Sequence, residues 1–252
     1  MSSHHKIWII TLFPEFFQPL QNCGIVGQVL RGQRGASITL QTVSLRDFSD
    51  NDYKGVDDSP YGGGPGMVLR ADILKKALLK GVVGAGNYGE NFRDKLHIIS
   101  PGPKGERWNN TVCKKFSQAH WSDESQKDLV FICGRYEGID ERFIKLYVDQ
   151  EISVGDFILS GGELAVQVLL DSALRFCPGT LGNKNGANAD SFHNNLLEHG
   201  LYTRPKVFDG LAVPEVLTGG NHQKIKKYQT VEQVEITKKL RPDLFEKYRS
   251  KR

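Results

Sequence analysis

The hydrophobic pattern changes period several times along this chain. Short bursts of apolar and β-branched residues at Lys6–Leu12, Ile38–Ser44, Leu96–Ser100, Leu129–Cys133 and Val148–Val154 predict strands. Between them the spacing turns helical: Leu69, Ile73, Leu74, Ala77 and Leu78, then Ile139, Phe143, Ile144 and Tyr147, then Leu164, Val168, Leu169 and Leu174. Each of these faces is expected to lie in a core. Strands alternating with helices predict an α/β chain with a mostly parallel sheet.

The pattern fades at Gly179–Ala189, where glycine and asparagine leave too little apolar side chain to bury. This stretch reads as a flexible linker, residues 179–190, between a domain of residues 1–178 and a second of 191–252. From Pro214 onward the pieces are short and polar without strand alternation, so the second domain is expected to be small and helical.

Charge sharpens this division. The whole chain carries only +4, but residues 205 to 252 hold eleven Lys or Arg against six Asp or Glu. A basic terminal segment suits a polyanionic partner and equally suits a solvated helical surface. With 39% hydrophobic and 25% charged residues and no apolar run long enough to span a bilayer, the composition excludes an integral helical membrane protein. The start, Met-Ser-Ser-His-His-Lys, lacks the pattern of a secretion signal. Cys23, Cys113, Cys133 and Cys177 are far apart with no paired zinc-type spacing. A cytoplasmic protein with free thiols is therefore expected, with no metal-ligand set read from the sequence.

Glycine, 27 of 252 residues, is clustered. Tyr61-Gly-Gly-Gly-Pro-Gly-Met67 can form neither a helix nor a regular strand; it is a plain surface loop or backbone held close to a ligand. It matches neither a P-loop nor a dinucleotide fingerprint. Three more loops, Ser100–Gly105, Cys133–Gly138 and Ser153–Glu163, each follow a predicted strand. Parallel sheets bind ligands beyond the carboxyl ends of their strands, so the three are candidates to converge on one pocket.

Leu12-Phe-Pro-Glu15, Pro60–Met67, Cys133-Gly-Arg-Tyr-Glu-Gly-Ile-Asp-Glu-Arg142, Gly155-Asp-Phe-Ile-Leu-Ser-Gly-Gly-Glu-Leu164, Asp190-Ser-Phe192 and Tyr202-Thr-Arg-Pro205 together resemble the TrmD family of bacterial tRNA (guanine-37-N1)-methyltransferases. The likeness runs from about Lys6 to Tyr228 with the motifs in the family's order. It implies the SPOUT fold, an α/β domain with a deep trefoil knot and a mostly parallel sheet. General rules against threaded loops would have argued otherwise. It also implies a homodimer with the active site at the subunit interface, tRNA as substrate and S-adenosylmethionine as methyl donor. The donor would lie among Ile99, Ser100, Pro101, Gly134, Tyr136, Glu137, Val154, Gly155, Asp156, Phe157, Ile158, Leu159, Gly161 and Gly162. Phe157 stands where tyrosine is frequent in the family, and Ala165 where proline is. Mg²⁺ is a further family expectation, near Glu137, and such an ion leaves little sequence signature.

Methylation of guanine at N1 removes a proton from a weakly acidic position, which calls for a placed base and a cation near the neighbouring oxygen. The resemblance implies Asp190 as that base, acting on the partner's cofactor, and Arg175 as the cation. Without the family, Asp190 reads as a helix N-cap. The resemblance also implies that Tyr61, Gly64, Tyr202, Arg204 and His222 bind the RNA; cations can hold phosphates and rings can stack on unpaired bases. Two alternatives stand beside this reading: a SPOUT methyltransferase with another RNA target, and a nucleotide-binding regulator without catalysis.

Overall fold

A computed structural model describes residues 4–50, 53, 55–122, 127–181 and 190–250. The chain divides into two compact units, Met1–Gly182 and Asn183–Arg252. Residues 182–189 of the expected linker lie outside the described residues.

The first unit carries β1 (His4–Thr11), α1 (Gln18–Asn22), α2 (Gly24–Leu30), β2 (Ser37–Ser44), the short pair β3 (Asp57–Asp58) and β4 (Val68–Leu69), and α3 (Ala71–Lys76). It continues with α4 (Phe92–Lys95), β5 (Leu96–Arg107), α5 (Asn110–His120), β6 (Asp128–Ile132), α6 (Glu141–Tyr147), β7 (Gln150–Ser153) and α7 (Gly162–Leu174). Five strands form one sheet in the order β2-β1-β6-β5-β7, and all its neighbours run parallel. All five strands were expected from the sequence. The sheet is covered on both faces, which is why its strands read as near-continuous apolar runs. Ile7 and Ile9 of β1 and Phe131 of β6 pack with α2, α5 and α7 on one face, while Trp8, Ile10 and Ile132 pack with α3, α6 and Ala77–Val83 on the other.

Some sequence expectations need correction. β5 does not stop at Ser100; it runs to Arg107, with Pro101 and Glu106 both opposite Ile152. The intervening residues loop out while Gly105 presses on β7, where a Cβ would stand 2.3 Å from the Ile152 amide nitrogen. Glycine there marks close backbone approach rather than a loop end. Leu164 and Val168 are not core but 45% and 50% exposed. They lie one turn apart on α7, whose Val166, Leu169, Leu170 and Ala173 already fill the sheet side. Leu69 ends β4 and bridges Ile139, so neither residue starts a helix. After α3 the chain widens into π-helical winding over Ala77–Gly84.

The second unit contains an antiparallel hairpin, Val207–Phe208 with Leu211–Ala212, and helices Glu215–Thr218, His222–Leu240 and Pro242–Arg249. At 19 residues His222–Leu240 is longer than the short pieces expected. Its start is capped by the Asn221 side chain, which accepts from the Lys224 amide at 3.1 Å. Among the described residues no helix is long and apolar enough to cross a membrane.

Candidate functional site

The bulge within β5 and the carboxyl ends of β6 and β7 open into a cleft of about 380 Å³, lined by Pro101–Pro103, Gly134–Gly138, Ile152–Gly155, Phe157–Gly162 and Ala165. Two loops that follow parallel strands and the bulge within β5 therefore share one concavity, in the place where ligands of parallel sheets bind. Backbone hydrogen bonds set the loops against each other. The Gly162 amide donates to the Gly134 carbonyl at 2.8 Å, and the Glu137 amide donates to the Met67 carbonyl at 3.0 Å. Tyr136 takes a left-handed φ of 58° and is 54% exposed. Gly162 cannot carry a side chain without meeting backbone: its Cβ would lie 2.9 Å from the Cys133 Cα and 3.0 Å from the Gly134 nitrogen.

Beneath the cleft lies a carboxylate that the sequence reading quoted but gave no role. Glu163, in the first turn of α7, is fully buried. It accepts from the Thr11 hydroxyl at 2.7 Å and from Arg135 Nε at 2.8 Å. Burial pushes the neighbouring Cys133 thiol well above its ordinary range, and the Glu163 charge adds to that. Cys133 is thus a protonated core residue and no nucleophile.

Most of the residues expected at the cofactor meet here: Pro101, Gly134, Tyr136, Glu137, Val154, Gly155, Phe157, Ile158, Leu159, Gly161 and Gly162 all line the cleft. Ile99 and Ser100 do not; they are buried within β5, at 0% and 3% exposure. Asp156 is exposed and ion-paired with Arg107 at 3.5 Å. Tyr61 and Gly64 sit on the exposed glycine loop, with Tyr61 98% exposed and Gly64 at φ +119°. That loop meets the pocket at Gly66, where a Cβ would overlap the Glu137 side chain at 2.4 Å. Arg175 is exposed at the carboxyl end of α7. Asp190, Tyr202, Arg204 and His222 belong to the second unit, where Arg204 and His222 are exposed. Gly102, Pro103, Arg135, Gly138, Ser153 and Ser160, which the sequence placed in the candidate loops without an individual role, also line the cleft, as do Ala165 and, outside those loops, Ile152. The legible signal was Glu163, a carboxylate in the first turn of a helix otherwise rich in apolar residues.

A family model described as tRNA (Guanine-1)-methyltransferase TrmD matches residues 5–247. The chain belongs to the TrmD family. A tRNA (guanine-N(1)-)-methyltransferase of Sulfurihydrogenibium sp. (strain YO3AOP1) is 41% identical over 242 residues, 96% of this chain and 88% of the relative. Like-named relatives from Buchnera aphidicola subsp. Schizaphis graminum and Pelagibacter ubique are 42% and 41% identical, covering 95% and 96% of this chain and 85% and 97% of the relatives. A TrmD-family methyltransferase needs a methyl donor, and the strand-end cleft has the size and the glycine-lined walls to take one. Mg²⁺ finds no ready protein ligand set: among the described residues no three His, Cys, Asp or Glu side chains gather as one.

Proposed function

We propose that this protein transfers the methyl group of S-adenosylmethionine to N1 of guanosine 37 in tRNA. The convergence of the β5 bulge and the loops after β6 and β7 on one glycine-lined cleft, in a chain of the TrmD family, carries the reading. The cleft fits an adenosyl group in kind. Gly134, Gly155, Gly161 and Gly162 keep side chains out of the wall so that a base edge can approach the backbone, and Phe157, Ile158 and Leu159 offer apolar wall. When bound, S-adenosylmethionine supplies a methyl group on a positively charged sulfur.

The protein's own residues position and deprotonate the guanine. Asp190 accepts the N1 proton as methylation proceeds, and Arg175 holds the guanine oxygen and nearby phosphate. An aspartate is intrinsically a weak base, so its effect comes from placement. In this reading the first unit carries the SPOUT trefoil knot, the second binds tRNA through Tyr202, Arg204, His222 and the basic helix that follows, and Tyr61 and Gly64 meet the RNA from the glycine loop. Two copies associate, with Asp190 serving the partner's cofactor. Exposed Leu164 and Val168 on α7, with Phe157 and Ile158 at 57% and 85% exposure, support burial against a second copy.

The test is transfer of labelled methyl to unmodified tRNA transcripts followed by nucleoside analysis. 1-Methylguanosine with a guanosine-37 transcript, and none with adenosine there, supports the reading. Methylation of another RNA or another position gives the chain a different target.

A further inference from the structure

We propose that Arg135, Glu163 and Thr11 form a buried latch that holds the cofactor cleft in its binding shape, with Arg135 serving as a positioning residue rather than as an RNA or cofactor contact. This rests on the reading of the cleft as the S-adenosylmethionine site. An arginine on the wall of such a cleft would ordinarily be assigned to a phosphate or carboxylate of a ligand. Here two of the three guanidinium nitrogens are already engaged. Nε donates to Glu163 at 2.8 Å and a terminal nitrogen to the Ser160 carbonyl at 3.1 Å. The same group lies 4.5 Å from the Phe13 ring centroid and 5.5 Å from that of Phe16. It also fills the space where a side chain on Gly161 would stand, 2.2 Å from Nε. One planar fork thus touches the chain after β1, the loop after β6 and the loop leading into α7.

Glu163 completes the device. It is 0% exposed in a helix whose neighbouring Ala165, Val166, Leu169 and Leu170 are all buried apolar residues. An apolar residue of similar volume would hold a core at least as well, because burying an ion pair costs desolvation. What the pair adds is direction: fork geometry fixes the relative placement of two loops where apolar packing would let them slide. Thr11, also 0% exposed, sets the carboxylate orientation through its hydroxyl and receives the Phe13 amide at 3.0 Å. This gives the otherwise unused Leu12-Phe-Pro-Glu15 motif a role as the floor of the latch.

The experiment uses the full chain with Arg135→Lys, Thr11→Val and Thr11→Ser. It measures S-adenosylmethionine Kd by calorimetry, kcat and KM, and amide exchange over residues 134–138 and 160–163. Lysine keeps the charge but not the fork, so Arg135→Lys should weaken the cofactor about tenfold, keep kcat at saturating cofactor within about threefold, and raise exchange in both loops together. Thr11→Val should act in the same direction and Thr11→Ser should restore wild-type values; this pair keeps the test alive if Arg135→Lys does not fold. A lowered melting point with wild-type Kd and exchange in the cleft loops would show a merely structural pair and overturn the proposal. So would a collapse of kcat with Kd unchanged, which would put Arg135 at the reacting atoms. Wild-type protein that binds no S-adenosylmethionine would instead refute the cofactor reading, and the latch as its support falls with it.

Discussion

Gly162→Ala is the sharpest perturbation of the cleft. Ordinary carbon contacts begin near ~3.5 Å, so a Cβ at 2.9 Å from the Cys133 Cα and 3.0 Å from the Gly134 nitrogen must push two stretches of backbone apart by about half an ångström. Neither neighbour is a flexible side chain, and the Gly162 amide is bound to the Gly134 carbonyl at 2.8 Å. Overpacking of this kind costs ~1–3 kcal/mol. Alanine's better helix propensity returns at most ~1 kcal/mol, and less at the first position of α7. The net expectation is about 1–2 kcal/mol of destabilisation, or a melting point lower by roughly 2–8 °C, together with weaker S-adenosylmethionine binding. Gly134→Ala is the matched control, because its Cβ would meet only the tip of Ile139 at 3.7 Å, an ordinary contact. Scanning calorimetry of both variants checks the argument. Equal melting points for the two, or a stabilised Gly162→Ala, would refute it.

Three further expectations follow from named contacts. Asp190→Ala should abolish methyl transfer while leaving S-adenosylmethionine affinity within about twofold in calorimetry, since base and cofactor residues are separate; turnover at wild-type rate would remove Asp190 from the mechanism. His120 stacks on His97 at 4.9 Å and packs on Phe116 at 4.4 Å; burial first, then His97, His5 and Lys127, push its imidazole down to about 4. Since the unfolded chain then binds the proton more readily, stability is full above about pH 6.5 and falls as pH drops towards 4, by at most ~3 kcal/mol. Urea midpoints across that range should show the fall, and His120→Asn should flatten it; an unchanged slope would assign the acid sensitivity to other groups. Asn109→Ala should cost about 1 kcal/mol by removing the side chain that accepts from the Thr111 and Val112 amides at 3.0 and 3.1 Å, read as a shift in the denaturation midpoint without change in cofactor affinity.

The sheet was legible because each strand is buried on both faces, so β-branched runs such as Ile7–Ile10 stand out whatever covers them. The pocket was legible at the level of loops, since glycine-rich segments after parallel strands have few other uses. Side-chain direction was not. Period alone shows that Leu164 and Val168 are apolar and one turn apart, but not that Leu169 and Ala173 have already filled the side facing the sheet. The run Leu96–Ser100 could not reveal that β5 continues past two prolines, because the continuation depends on Gly105 pressing against Ile152, a contact between segments distant in sequence. Arg135 was missed for a related reason: its charge suggests a ligand, and only the buried Glu163 shows it to be occupied.

The central claim is tested most directly by incubating the purified protein with labelled S-adenosylmethionine and unmodified tRNA transcripts that differ only in guanosine or adenosine at position 37, then identifying the methylated nucleoside. The account predicts 1-methylguanosine from the guanosine transcript alone. Label in both transcripts, or in a nucleoside other than 1-methylguanosine, would contradict it.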